Sequence, residues 1–364
     1  MAKAKLDSTK RLGELSFGYF IFYVITGLSV KFFLSQGDGR PGLNGMEYLF
    51  YSTLSSTLIV TTFVLIRRWY KINSIRRVQF GKYLVPSELK YILPSGVLTA
   101  VVIPTTTLMY SFRGISVMVA MVLMRGSVII ISRVVDEIQI RKGLLKKKVY
   151  IEENIGVVFA LLAIGIKIFS GGADGKASPF ASLPVMIVFS VYIVAYAFRI
   201  YIMNYYKNTR PKESKGDNNK SFFAIEQIAS TLTLFLVVVV IILFAKVGGV
   251  TGDRITPFVN AIFSPVKDWW YWAMIAGSAF GIVAFFSVFL FMFKGRTATF
   301  AGLVNRLTSL IAGTTSTVIF AIAFGGKFPI IIDWISLFFI LVAVYFIAKA
   351  EKKRTIELAM EKDN

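Results

Sequence analysis

Ten stretches of 17 to 27 residues are apolar almost throughout and recur at short intervals along the chain. They run 15–34, 47–66, 89–111, 115–133, 154–170, 183–205, 222–246, 269–293, 297–323 and 331–349. A helix of about 20 apolar residues crosses the hydrocarbon layer of a bilayer. In lipid a backbone must satisfy its own hydrogen bonds, which leaves a helix or a closed barrel. Barrel strands alternate over ~10 residues, and these runs do not alternate. The pattern predicts an all-α polytopic membrane protein with ten transmembrane helices. Composition agrees. Of 364 residues 55% are hydrophobic and 17% charged, against about 25% charged in soluble proteins. Mean hydropathy is +0.67.

The formal net charge of +21 needs a separate account. A large basic excess is the footprint of a nucleic-acid binder, but it is also what the positive-inside rule produces. We assigned each Lys and Arg near a span end to the adjoining segment. Thirty then fall with the N-tail, the C-tail and the even-to-odd loops, and nine with the other loops. Arg125 and Arg306 alone remain inside spans. The asymmetry predicts that both termini are cytoplasmic. The charge is then topological and no nucleic-acid partner is expected. Basic loops such as Arg76-Arg77 and Lys146-Lys147-Lys148 also suit anionic lipid.

The chain has no Cys and no His. Disulfides, a Cys nucleophile, a His general base and Cys/His zinc sites are excluded. No metal or cofactor is expected. With no carboxylate at the centre of a span, no acid–base pair for a membrane-embedded enzyme is apparent. Gly37-Asp38-Gly39-Arg40-Pro41-Gly42 fits a dinucleotide-binding pattern, but no strand precedes it, so it reads as a turn. The start lacks a short apolar region with a cleavage site, so no signal peptide is expected.

Halfway along, the polar segment 207–220 reads as a cytoplasmic linker. It divides the chain into 1–206 (spans 1–5 with span 6) and 221–364 (the remaining spans and tail). The two halves echo one another. Phe112-Arg113-Gly114 is followed after ten residues by Arg125, and Phe293-Lys294-Gly295 after ten residues by Arg306. Each pair is 181 positions apart, and the same offset maps Gly96 and Ala100 onto Gly277 and Gly281. Five spans per half is an odd number, so the second half enters the membrane from the opposite side. The expectation is two inverted five-helix repeats, the layout of many secondary transporters, with a site near the midplane.

Arg125 and Arg306 sit near the centres of spans 4 and 9. A central arginine costs ~2.5–3.5 kcal/mol on insertion scales, and such residues face the bundle interior or a wet cavity. Repeat-related placement puts the two on opposite sides of one cavity, where guanidinium forks suit phosphate or carboxylate. The alternative is an arginine satisfied by helix-end carbonyls or a neighbouring carboxylate. In span 9, Gly302, Asn305, Arg306, Ser309 and Gly313 share one face, which suits a cavity wall or a helix-packing face. Tyr19, Tyr23, Tyr110, Tyr192 and Tyr196 are available to stack on a ring. Met109, Met118, Met121 and Met124 read as core. Glu14, Glu47 and Glu226 lie near span ends and read as interfacial.

Ten spans in two inverted halves resemble the drug/metabolite transporter superfamily (EamA-like) over the whole chain. Leu123-Met124-Arg125-Gly126-Ser127-Val128-Ile129 resembles the fourth-helix signature of its nucleotide-sugar and chloroquine-resistance branches. Gly302-Leu303-Val304-Asn305-Arg306-Leu307 resembles the Gly-Ala-Leu-Asn-Lys stretch of GDP-mannose transporters, with Arg306 in place of lysine. The partner Phe-Tyr-Asn-Asn motif is missing; Met203-Asn204-Tyr205-Tyr206 only echoes it. Asp136-Glu137 falls where many members have a turn followed by an acidic residue. The resemblance implies that Gly302, Asn305 and Arg306 contact a nucleotide sugar.

Together these readings predict a secondary-active transporter, not an enzyme. It would move a small organic anion, a nucleotide sugar or organic phosphate, by exchange. Arg125, Arg306, Asn305, Gly302, Ser309 and Tyr110 are the candidate substrate-binding residues. The alternative is a general metabolite or amino-acid exporter of the same superfamily. The expected partners are the solute and the lipid bilayer, with room for a homodimer. A cell membrane is favoured over Golgi or ER membrane, because no KDEL-type retention signal is present.

Overall fold

The computed structural model describes residues 2–37, 39–72, 77–80, 82–112, 115–144, 149–169, 182–209, 218–291 and 298–363. Within helices and strands, side chains of 2–12, 80, 207, 218, 291, 298–303, 354–355 and 358–363 are outside that description.

Eleven helices are present among the described residues: α1 (Ala2–Leu34), α2 (Gly45–Ile66), α3 (Leu89–Ser111), α4 (Val117–Arg141), α5 (Ile151–Phe169), α6 (Leu183–Thr209), α7 (Asn218–Lys246), α8 (Ile255–Phe263), α9 (Trp270–Phe291), α10 (Ala298–Phe324) and α11 (Ile331–Asp363). Nine of them are long and apolar enough to cross a membrane, all except α5 and α8. The chain is an all-α, multi-pass membrane protein. Helix α5 falls outside the nine because Glu152, Glu153 and Lys167 crowd its 19 residues. Those charges are buried against α11. Lys167 pairs with Asp333 and Lys353 with Glu152.

Helix ends follow the local sequence. Asn44 caps α2 in a capping box, with Met46 N donating to Oδ1 at 2.9 Å and Asn44 N donating to Glu47 at 3.0 Å. Ser116 caps α4 by accepting from Val119 N at 3.1 Å. Where the glycine-rich segment after α1 reads as a turn, the chain forms a small antiparallel ladder of β1 (Gln36–Gly37) and β2 (Arg40–Pro41). Gly37 and Gly39 take φ of 102° and 74° there, which suits only glycine cheaply. A second ladder pairs β3 (Arg77–Phe80) with β4 (Tyr83–Pro86).

Three expectations need correction. Helix α4 continues to Arg141, past the end of the expected span 115–133, and Glu137 bridges Arg133 and Arg141 along its surface at 3.0 and 2.9 Å. The segment between α7 and α9 contains the short helix α8, which was not anticipated. Buried carboxylates do exist on long helices: Asp136, Glu226 and Asp333 are each less than a tenth exposed. Helices α6 and α7 reach into the expected linker as far as Thr209 and from Asn218. The repeated Arg113-Gly114 and Phe293-Lys294-Gly295 lie outside the described residues.

Packing is dominated by α5 on α11, α2 on α9, α3 on α6 and α7, α1 on α9 and α10, and α4 on α10, α5 and α6. Small residues allow the closest approaches. A Cβ on Gly281 would lie 2.4 Å from the Ser56 carbonyl oxygen, and one on Gly277 2.4 Å from Ser52 Cα, so α9 lies directly on α2. On α3, a Cβ at Gly96 would meet Glu226 O of α7 at 2.7 Å.

Candidate functional site

The middle of the bundle holds a cavity of about 50 Å³. Its wall comes from four helices plus one arginine of α4. Tyr19 and Tyr23 come from α1, and Thr99, Val102, Ile103 and Thr106 from α3. Tyr192, Tyr196 and Arg199 come from α6, Phe280, Val283, Ala284 and Ser287 from α9, and Arg125 from α4. Each set recurs every three or four residues, as one face of a helix must.

The wall is duplicated. Thr99, Val102, Ile103 and Thr106 stand opposite Phe280, Val283, Ala284 and Ser287, each pair 181 positions apart. Tyr19 and Tyr23 match Tyr192 and Tyr196 at an offset of 173. Both tyrosine pairs place ring centroids 5.2 Å apart.

Arg125 enters this cavity fully buried among hydroxyls. Its Nη2 donates to Tyr23 OH at 2.6 Å and to Tyr19 OH at 3.4 Å, and its guanidinium carbon lies 5.4 Å from the Tyr23 ring centroid. Tyr23 OH in turn lies 3.0 Å from Tyr110 OH, which donates to Met121 Sδ at 3.3 Å. Tyr19 OH donates to Asn305 Oδ1 at 3.2 Å, and Asn305 Nδ2 donates to Ser287 Oγ at 2.9 Å. One arginine thus organises two hydroxyl chains, one ending on α4 and one on α9. Its Nε has no hydrogen-bond partner among the described residues. A buried guanidinium normally fills its donors, so a spare one is a demand for an acceptor.

Arg306 is 1% exposed and is not among the residues lining the cavity. Its Nη2 donates to Ser132 Oγ of α4, and its Nε and Nη1 have no partner among the described residues. Asp136 follows Ser132 by one turn of α4. The two arginines are connected through Tyr19, which accepts from Arg125 and donates to Asn305, the chain neighbour of Arg306.

The other candidates separate. Ser309 is buried, but its Oγ donates back to Arg306 O at 3.0 Å within α10 and offers nothing to the cavity. Tyr110 is a relay behind Tyr23, not a wall residue. Gly313 is a packing position, since a Cβ there would lie 2.6 Å from Met121 Cγ. Gly302 lies in α10, but its surroundings are outside the described residues. Met109, Met118, Met121 and Met124 are core.

Arg199 was not anticipated, because its place near a span end assigned it to the following loop. It is buried on α6, three residues after Tyr196 and on the same face. Its Nε and Nη2 form a bidentate pair with Glu226 of α7 at 2.9 and 3.0 Å. Ser95 and Thr99 of α3 also donate to Glu226, at 2.5 and 3.1 Å. The signal was present: Tyr192, Tyr196 and Arg199 recur at helical spacing and so share one face of α6.

No group of three or more carboxylates able to hold a metal occurs among the described residues. Compared with known proteins, the chain matches no family model and no curated protein.

Proposed function

We propose that this chain is a secondary transporter in which ten helices form two inverted five-helix repeats, and that it carries a small organic anion. Helix α5 is the tenth span, its charges neutralised against α11. In this reading α1 to α5 correspond to α6, α7, α9, α10 and α11. Packing supports that correspondence. Exchanging partners turns α1 on α9 into α6 on α3, α1 on α10 into α6 on α4, and α2 on α9 into α7 on α3, and all six contacts occur. The pairs α4–α10 and α5–α11 map onto themselves.

The observation that carries the functional reading is the pair of buried arginines with donors unfilled among the described residues, one of them on a duplicated cavity wall. An organic phosphate or nucleotide sugar supplies the acceptors that these donors lack. Asn305 and the tyrosines would bond and stack on the remainder of the solute. This resembles the drug/metabolite transporters, nucleotide-sugar carriers among them. A volume of about 50 Å³ holds one or two waters, so such a solute enters only if the helices around the cavity move apart. Opening on one side must break the ties between α4 and α6, where Asn208 donates to Gln139 at 2.9 Å and Lys142 to Tyr201 OH at 3.3 Å. Opening on the other must release Arg40 from Phe324 O at 3.0 Å. Both termini, on the lysine and arginine distribution, are cytoplasmic, and the host is a cell membrane.

A second reading has one observation in its favour. Arg306 sits off the wall, beside Ser132 and Asp136, as a structural arginine would. The chain would then be an exporter of neutral metabolites or amino acids. Proteoliposomes decide between them. Counterflow of a labelled nucleotide sugar or sugar phosphate, lost in folded Arg125→Met and Arg306→Ala, supports the anion carrier. Uptake of neutral solutes, unchanged in Arg306→Ala, supports the second reading.

A further inference from the structure

The duplicated cavity is broken in one place. At the 173 offset, the position equivalent to Arg199 on α1 is Thr26. Close approaches give the equivalent of Glu226. Gly96 meets α7 at Glu226 and Ala229, and Gly277 meets α2 at Ser52 and Ser55, so Glu226 corresponds to Ser52. Ser95 and Thr99 correspond to Ala276 and Phe280. A charged, four-member cluster therefore occupies one end of the cavity, where its counterpart is hydroxyl and apolar.

Arg199 faces the cavity, and Glu226 holds it from behind. Arg199 is thus a second cavity arginine beside Arg125, already occupied by an internal anion. A solute anion that takes the Nε–Nη2 edge of Arg199 must displace Glu226. An ionised carboxylate left without its arginine inside a membrane protein is strongly disfavoured, and it neutralises by binding a proton. Neutral Glu226 keeps its place, because one oxygen still accepts from Ser95 and Thr99.

We infer that Glu226 is a proton-binding group linked to the solute through Arg199: the anion takes the guanidinium as Glu226 takes one proton from water. Linkage is reciprocal, so a proton on Glu226 also strengthens anion binding. This revises the uncoupled exchange expected from sequence, and it rests on the anion-carrier reading. No other charged group competes for Glu226 among the described residues. Of the helices packed on α7, α8 and α9 carry no charged residue and α2 has only Glu47, in its first turn. Helix α3 has Lys90, stacked on Tyr91 near its start. Helix α6 presents Arg199, with Tyr196 one turn away.

The test uses the purified full chain with two anions whose charge is constant between pH 5.5 and 8, sulfate and GDP-mannose. Isothermal titration in buffers of different ionisation enthalpy counts protons taken up per anion bound. The expected result is about one proton in the wild type, with affinity rising toward tenfold per pH unit as pH falls. Glu226→Gln should bind equally at both pH values with no proton uptake. Ser95→Ala keeps the ion pair but withdraws a hydrogen bond from the carboxylate, so its binding should strengthen from a higher pH than in the wild type. That variant decides the matter if Glu226→Gln does not fold. Anion binding without proton uptake overturns the coupling and leaves the anion carrier standing. Binding of neither anion at any pH overturns both.

Discussion

Lys167 and Arg125 are both buried cations on apolar helices, and their surroundings treat them in opposite ways. Lys167 meets Asp333 across the α5–α11 contact, where Ser336 also donates to Ala163 O at 2.7 Å and Phe159 stacks on Phe346 at 5.8 Å. Arg125 meets only hydroxyls and keeps a donor unfilled. One charge is neutralised where two helices must stay together. The other is left short of acceptors beside a cavity. The difference separates a clamp from the proposed binding site. The Arg199–Glu226 pair lies between them, complete like the clamp but placed on the cavity wall.

The largest expected effect breaks the clamp. Lys167→Met leaves Asp333 buried and unpaired, and should cost ~3–5 kcal/mol of stability, measured as loss of folded protein on heating in detergent. Adding Asp333→Leu should restore most of it. If Lys167→Met were harmless, the Lys167–Asp333 pair would not be what clamps α5 to α11.

Arg125→Met is the contrasting change. It replaces an incompletely paired charge by an apolar chain of similar length, so stability should hold or rise. Binding of an organic phosphate should weaken by ~1.5–3 kcal/mol, about 10- to 150-fold, read from a ligand titration of thermal unfolding. Unfolding of Arg125→Met would place this arginine with Lys167 as structure.

A third change probes the packing around the cavity. Gly281→Leu drives a side chain into the Ser56 backbone and should cost about 1–3 kcal/mol in thermal stability. The smallest effect is expected from Ser309→Ala. It removes only a bond within α10, so stability should change by less than ~1 kcal/mol and anion binding not at all. A clear loss of binding there would return Ser309 to the site.

Much of the helical frame was legible because long apolar runs have few alternatives in lipid. Residues 89–111 were delimited as α3 is. Hydropathy fails where a helix outlasts its apolar stretch. Helix α4 runs on through Asp136 and Glu137, and α6 through to Thr209; Arg199, inside the span 183–205 but counted with the loop beyond it, is a wall residue. Helix α8 is too short to register as a span. Arg125 and Arg306 were legible as isolated charges in apolar sequence. Their partners were not, since hydroxyls of Tyr19, Tyr23 and Ser132 come from positions more than a hundred residues apart or from an unremarkable serine. Glu226 was misjudged because its partner Arg199 lies on another helix, and only tertiary packing brings the two together.

The account stands on Arg125 and Arg306 being a binding site for an anion. The direct measurement is a thermal-unfolding screen of the purified wild type and Arg306→Ala against nucleotide sugars, sugar phosphates, amino acids and neutral metabolites. A ligand at 100 times its dissociation constant adds ~2.7 kcal/mol, well above detection. The account predicts that phosphate-bearing solutes stabilise the wild type and lose that effect in Arg306→Ala. Stabilisation by neutral solutes alone, equal in both proteins, would contradict it.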